Sequence, residues 1–173
     1  MKILVTGGAG FIASHIADAY IKLGHNVVII DNLSSGNINN INKNAKFYNI
    51  DITNKNIIDI FEKEKFDIIS HHAAQMNVRF SVENPIFDAN INVLGSLNIY
   101  EAAIKTNVKK IIFASTGGAI YGEEVEIPTP ETANTQPCSP YGISKLTNEK
   151  FLYYYKKIYN LDYTILRYAN VYG

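Results

Sequence analysis

Neither sign of charge is in excess in this 173-residue chain: 16 Lys and Arg balance 16 Asp and Glu. A basic stripe of the kind that grips nucleic acid is therefore not expected. One cysteine, Cys138, is too few for an internal disulfide framework and suits a reducing compartment. No apolar run approaches the roughly 18 residues needed to span a membrane. Met1–Val5 opens like a signal peptide, but Thr6-Gly7-Gly8 ends the run too early. There is no internal repeat, and low complexity is confined to one Asn-rich loop. With 47% hydrophobic residues the chain is too apolar for disorder, and its length suits one domain. A soluble, cytoplasmic globular chain is expected.

Short β-branched runs alternate with longer helical stretches. Lys2–Thr6, Asn26–Ile30, Lys46–Asn49, Asp67–Ser70, Lys110–Ala114 and Asp162–Leu166 read as strands. Several are apolar at consecutive positions, as parallel strands buried on both faces should be. Gly10–Leu23, Asn54–Lys65, Asn84–Thr106 and Ser139–Tyr159 read as helices, with Gly24 and Asn107 as stops. Repeated β-α-β predicts an α/β fold, a doubly wound parallel sheet. Two stretches fall outside the alternation. Asn32–Asn44 reads as a surface loop. Thr116–Pro140 holds Gly117, Gly118, Gly122 and four of the five prolines. It leaves the carboxyl end of the fifth strand, the side on which ligands bind such sheets.

The turn Thr6-Gly7-Gly8-Ala9-Gly10-Phe11-Ile12-Ala13 joins the first strand to the first helix. Glycines there let the backbone approach a pyrophosphate, whose charge sits against the helix amides. Ala13 is small enough for close helix–strand packing. Asp31 ends the second strand, 21 residues beyond Gly10. A carboxylate at that point accepts hydrogen bonds from both adenosine ribose hydroxyls and repels a 2′-phosphate, which favours NAD over NADP.

Tyr141-Gly142-Ile143-Ser144-Lys145 puts a phenol and an ammonium four residues apart on one helical face. Tyrosine titrates near about 10, too high for a base at neutral pH. A neighbouring Lys⁺ and an oxidised nicotinamide would favour the phenolate; lowering it by about 3 units takes about 4 kcal/mol. Ser115-Thr116 ends the fifth strand with a hydroxyl, and the long loop returns the chain to Tyr141.

With these motifs together, the chain resembles the extended short-chain dehydrogenase/reductases, in the NAD-dependent epimerase/dehydratase group, and most nearly the UDP-glucose 4-epimerase branch. The glycine turn, Asp31-Asn32-Leu33-Ser34-Ser35-Gly36, Asp51-Ile52, His72-Ala73-Ala74-Gln75 and Asn92-Val93-Leu94-Gly95 carry the likeness. So do Ser115–Gly122, Ser139–Lys145 and Arg167-Tyr168-Ala169-Asn170-Val171-Tyr172-Gly173. The resemblance implies a Rossmann sheet in the order 3-2-1-4-5-6 over residues 1–173, with a separate substrate domain missing. It implies NAD as cofactor and a UDP-sugar as substrate, inverted at C4 through a 4-keto intermediate.

Residue by residue, it implies that Gly7, Gly10, Phe11 and Ile12 line the pyrophosphate. Asp31 and Asn32 hold the adenosine ribose, with Ser35 and Gly36 beside it, and Asp51 and Ile52 flank adenine. Ala73, Ala74 and Gln75 line the cofactor, Asn92 lies below it, and Tyr168 approaches the nicotinamide end. Thr116, Tyr141 and Lys145 are the implied catalytic residues, Tyr141 and Lys145 also touching NAD. Asn170, with Thr116 and Tyr141, would meet the sugar nucleotide; no metal is implied. Thr116 stands where many epimerases have serine, and Met76 where some have lysine. Dehydratases follow their threonine with Asp-Glu, but here Gly117-Gly118 follows. The alternatives are another nucleotide-sugar decarboxylase, dehydratase or reductase, or a non-catalytic NAD-binding module.

His71 and His72 read as structural residues, His15 as a packing or surface residue, and Cys138 as an inert thiol. Tyr153-Tyr154-Tyr155 and Tyr159 read as a patch packing the core or a partner helix. A homodimer through the third and fourth helices is expected, with Leu94, Ile99, Tyr153 and Tyr154 on the shared surface. The chain alone is expected to bind NAD but to epimerise negligibly, with the Thr116–Pro140 loop mobile.

Overall fold

The computed structural model describes residues 1–123 and 126–173. Glu124 and Val125, inside the long loop expected to be mobile, lie outside the described residues. Six strands, β1 (Lys2–Thr6), β2 (Asn26–Asp31), β3 (Lys46–Asn49), β4 (Ile68–His71), β5 (Lys110–Thr116) and β6 (Asp162–Tyr168), form one sheet. Its order is β3-β2-β1-β4-β5-β6 and every pairing is parallel, the expected Rossmann arrangement. The order reverses between β1 and β4, which opens a crevice at the carboxyl ends of those strands.

Alternate residues of each strand feed opposite faces. Leu4, Val28, Ile30, Ile69, Ile111 and Phe113 meet helices α2 (Ile57–Glu64), α5 (Ser96–Lys105) and α6 (Pro140–Tyr159) through Phe61, Ile99, Tyr100 and Leu152. Ile3, Val5, Val27 and Ile29 meet Ala13 and Ala17 of α1 (Phe11–Lys22) on the other face. Ser139 caps α6, its Oγ accepting from the Gly142 amide at 3.1 Å, with Pro140 in the first helical position. Asn160, at φ +58°, ends that helix.

The expected helix Asn84–Thr106 is three pieces, and a further short helix, α3 (Val78–Glu83), precedes it. Asn77 starts α3 by accepting from the Phe80 amide at 3.0 Å. Asn84 is pushed out of helical geometry (φ −133°, ψ 61°) because proline follows it, and α4 (Pro85–Ala89) begins there. A π-helical turn over Asn90–Gly95 then separates α4 from α5. Ile99, expected on an outer surface, is fully buried between α5 and the sheet, whereas Leu94, Tyr153 and Tyr154 are exposed.

Candidate active site

At the carboxyl end of β1 the chain turns through Gly7 at φ +71°. A Cβ there would lie 2.7 Å from the Ala73 amide nitrogen, so only glycine fits. The Gly7 amide donates to the Ile30 carbonyl at 2.8 Å, and the Gly10 amide to the Gly7 carbonyl at 3.0 Å. Gly10 is the N-cap of α1, so the first-turn amides of Phe11 and Ile12 have no intrahelical acceptor and point out of the helix end.

Asp31 is buried behind this turn. One of its oxygens accepts from the Ala9 amide at 3.0 Å and the other from the Leu33 amide at 2.8 Å. Each oxygen keeps a further lone pair, so the carboxylate can brace the turn and still accept a ribose hydroxyl. Asn32 reaches across to Asp51 at 2.6 Å, and Asp51 also accepts from the Thr53 amide and hydroxyl at 2.8 and 2.7 Å. Burial opposes the Asp51 charge, yet these Thr53 and Asn32 bonds hold its carboxyl below its usual range. The Asn-rich loop is less free than its sequence suggests. The Ala9 carbonyl accepts from the Asn37 amide at 3.0 Å and from Asn40 Nδ2 at 2.9 Å, and Gly36 packs on Ala9. Ser35 is exposed beside them. Ile52 turns its side chain into the core against Gly95, and its carbonyl accepts from Asn98 Nδ2 at 2.7 Å.

The exit of β4 is held by a directional hydrogen-bond chain. Ser96 Oγ donates to the Asn92 carbonyl at 2.7 Å, so it must accept from His71 Nε2 at 2.9 Å. His71 Nδ1 is then left to accept from Thr6 Oγ at 2.7 Å. The Thr6 oxygen in turn accepts from the His72 and Ala73 amides, both at 3.1 Å. Burial drives His71 well below the usual histidine range, which keeps it neutral as this chain requires. His72 stacks on Tyr168, its Nε2 3.3 Å from the phenol, and burial pulls it down to about 4. Asn92 clamps the next residues: its Oδ1 accepts from the Gln75 amide at 2.8 Å and its Nδ2 donates to the Gln75 carbonyl at 2.9 Å. Asn92 is thus the support beneath the Ala73-Ala74-Gln75 segment.

Helix α6 lies along β5. Lys145 Nζ, buried, donates to the Ala114 carbonyl at 2.9 Å, two residues before Thr116, and sits 4.9 Å from the Phe113 ring centre. One turn earlier, Tyr141 places its ring centre 5.8 Å from the same ammonium. The Tyr141 amide is anchored on Ser81 Oγ of α3 at 3.2 Å. Gly142 has no room for a Cβ against the Ala119 carbonyl, which fixes the loop onto the helix start. The structure therefore brings Tyr141 and Lys145 of α6 to the carboxyl end of β5, where Thr116 lies. Asn170 is exposed just beyond β6.

Burial, with the charge of Asp88, pushes the Tyr141 phenol up, so Lys145 alone does not favour the phenolate. Lys145 is itself pulled down to about 8 by burial. Asp88 is the residue that sequence reasoning missed. It is fully buried, accepting from Gln75 Nε2 and Asn92 Nδ2 at 2.9 Å each and from Ser144 Oγ at 2.7 Å. Its signal was a carboxylate four residues before Asn92, on one helical face.

Residues 3–173 match the model of the NAD dependent epimerase/dehydratase family. The chain belongs to that family. A family relative, the UDP-glucose 4-epimerase of Mycolicibacterium smegmatis, is 39% identical over 178 residues, covering all of this chain and 57% of the relative. Among solved structures, the UDP-glucose 4-epimerase of Thermotoga maritima with UDP-glucose is 51% identical with a TM-score of 0.98. That of Thermus thermophilus, a complex with NAD, is 43% identical with a TM-score of 0.96. This chain is covered completely in both, and they are covered to 57% and 56%. It spans little more than half the length of these family members. As a member it is NAD-dependent, and the glycine turn, the α1 amides and Asp31 suit that dinucleotide.

Proposed function

We propose that the 173 residues form an NAD-binding domain whose Thr116, Tyr141 and Lys145 serve inversion at C4 of a UDP-hexose. The observation that carries this reading is the seating of Lys145 on the Ala114 carbonyl, one turn from Tyr141 and two residues from Thr116. Tyr141 accepts the proton of the C4 hydroxyl, and Thr116 donates to the same oxygen as its charge develops. Lys145 holds the nicotinamide ribose. When bound, NAD supplies the hydride acceptor and donor and, in its oxidised form, a positive charge beside the Tyr141 phenol. The proton then returns from Tyr141 once the 4-keto sugar has presented its other face. Gly117-Gly118 offers no carboxylate for eliminating water, which favours epimerisation over dehydration.

Many residues here are assigned to NAD, and only Thr116, Tyr141 and Asn170 to the sugar nucleotide. NAD binding is therefore expected of this chain, with little turnover, since positioning of C4 rests on few contacts. A dimer through Leu94, Tyr153 and Tyr154 belongs to the same reading; sedimentation showing only monomer at micromolar concentration counts against it. Calorimetry with NAD, followed by near-ultraviolet absorbance after adding UDP-galactose, tests the chemistry. Formation of NADH that Tyr141→Phe reduces at least ~100-fold supports the reading. NAD binding with no NADH under any condition would leave a binding module only.

A further inference from the structure

The buried carboxylate of Asp88 has no part in the chemistry described so far. It joins four pieces of structure: α4, which carries it, the β4 exit through Gln75, the π-helical turn through Asn92, and α6 through Ser144. Two of its donors are amide NH₂ groups, which can only donate, and Ser144 spends its single proton on the second oxygen. This acceptor-only geometry suits the ionised form. A charge buried this deeply is costly unless an opposite charge answers it. Among the described residues no ion pair within 4.0 Å includes Asp88.

The opposite charge is one residue beyond Ser144. Lys145 is equally buried, and its ammonium has the Ala114 carbonyl and the Phe113 and Tyr141 rings around it. Titratable groups around it are Tyr141 on α6, its ring centre 5.8 Å away, His71 and His72 at the end of β4, and Asp88 on α4, which is hydrogen-bonded at 2.7 Å to Ser144, the residue adjoining Lys145. Both histidines are held neutral by burial, and Glu149, one turn further along α6, is committed to Arg167. Asp88 is the remaining charged group. We propose that Asp88 is the counter-charge that keeps buried Lys145 protonated and, through Ser144, sets the first turns of α6, making it a positioning residue for the Tyr141–Lys145 pair.

Side-chain NMR of labelled lysine tests the charge directly and without NAD, the Lys145 signal being assigned by its loss in Lys145→Arg. The wild-type ammonium should titrate near about 8, and in Asp88→Asn at least about one pH unit lower. Ser144→Ala keeps the charge and should leave the midpoint in place. The role of Lys145 toward NAD rests on the proposed function, so NAD affinity is a separate readout. With midpoints of about 8 and 7, the Asn variant should bind NAD about threefold more weakly at pH 7.5 and equally at pH 6. A merely structural defect would weaken binding equally at both. An unmoved midpoint in Asp88→Asn overturns the proposal. Should that variant not fold, a wild-type Lys145 midpoint below 7 overturns it as well. A lowered midpoint with unaltered NAD affinity upholds the counter-charge and refutes the assignment of Lys145 to NAD.

Discussion

Replacing Glu149 with leucine would take the counter-charge from the guanidinium of Arg167, leaving it the Tyr121 hydroxyl and the Glu131 carbonyl through Nη1. Arg167 holds Glu149 with both Nε at 3.0 Å and Nη2 at 2.7 Å, and Ser115 Oγ adds a third bond at 2.6 Å. The Glu149 side chain is 7% exposed and that of Arg167 23%, so water replaces little of what is lost. Breaking a buried pair from one side costs about 3–5 kcal/mol. Partial exposure of Arg167 places this case at the lower end, about 3 kcal/mol with the Ser115 bond included. For a chain of this length that lowers Tm by roughly 6–12 °C. Removing both charges, as in Glu149→Leu with Arg167→Met, should recover most of the loss, because no unpaired charge remains. Urea unfolding of the single and double variants measures both quantities. A single variant within about 1 kcal/mol of wild type, or a double variant as unstable as the single, would refute the reasoning.

Gly7→Ala should destabilise by at least about 2 kcal/mol, from left-handed backbone and the clash with Ala73, and should weaken NAD binding; thermal unfolding and calorimetry read both. Asp31 should make NAD bind at least about tenfold tighter than NADP, and Asp31→Ser should narrow that ratio; equal affinities in wild type would sink the assignment. His72 titrates at about 4 folded and near 6.5 unfolded, so the unfolded chain takes up its proton first on acidification. Stability present at neutral pH is then lost as pH falls from 6.5 toward 4, by about 3 kcal/mol for this group, with His71 adding in the same direction. Urea midpoints that stay flat between pH 6.5 and 4.5 would contradict that.

The strands were readable to within two residues because most are compact apolar runs bounded by polar turns, the edge strand β3 being the half-polar exception. The glycine turn, Asp31 and the Tyr141–Lys145 spacing were readable because local backbone geometry and helical periodicity tie those residues together. The stretch from Val78 to Gly95 was not, since its breaks come from a proline-adjacent Asn84 and a π-helical turn set by tertiary contacts. Asp88 was hidden for a similar reason: of its donors only Asn92 is local, while Gln75 lies 13 and Ser144 56 residues away. Ile99 looked like a surface residue only while the helix containing it was taken as one continuous rod. The burial that pushes the Tyr141 phenol up and pulls Lys145 down was not legible, because desolvation is set by tertiary packing.

The parallel order of the sheet also governs how the chain assembles in time. The central strand β1 pairs with β2 on one side early, but its other edge waits for β4, Ile3 meeting Ile68. That partner emerges 65 residues later, roughly 3–13 s at ribosomal speeds. Through that interval the first strand, apolar on both faces, has one open edge and no local hairpin to cover it. Long-range pairing of this kind slows folding, and the nascent N-terminal half is the stage most exposed to chaperones and to aggregation.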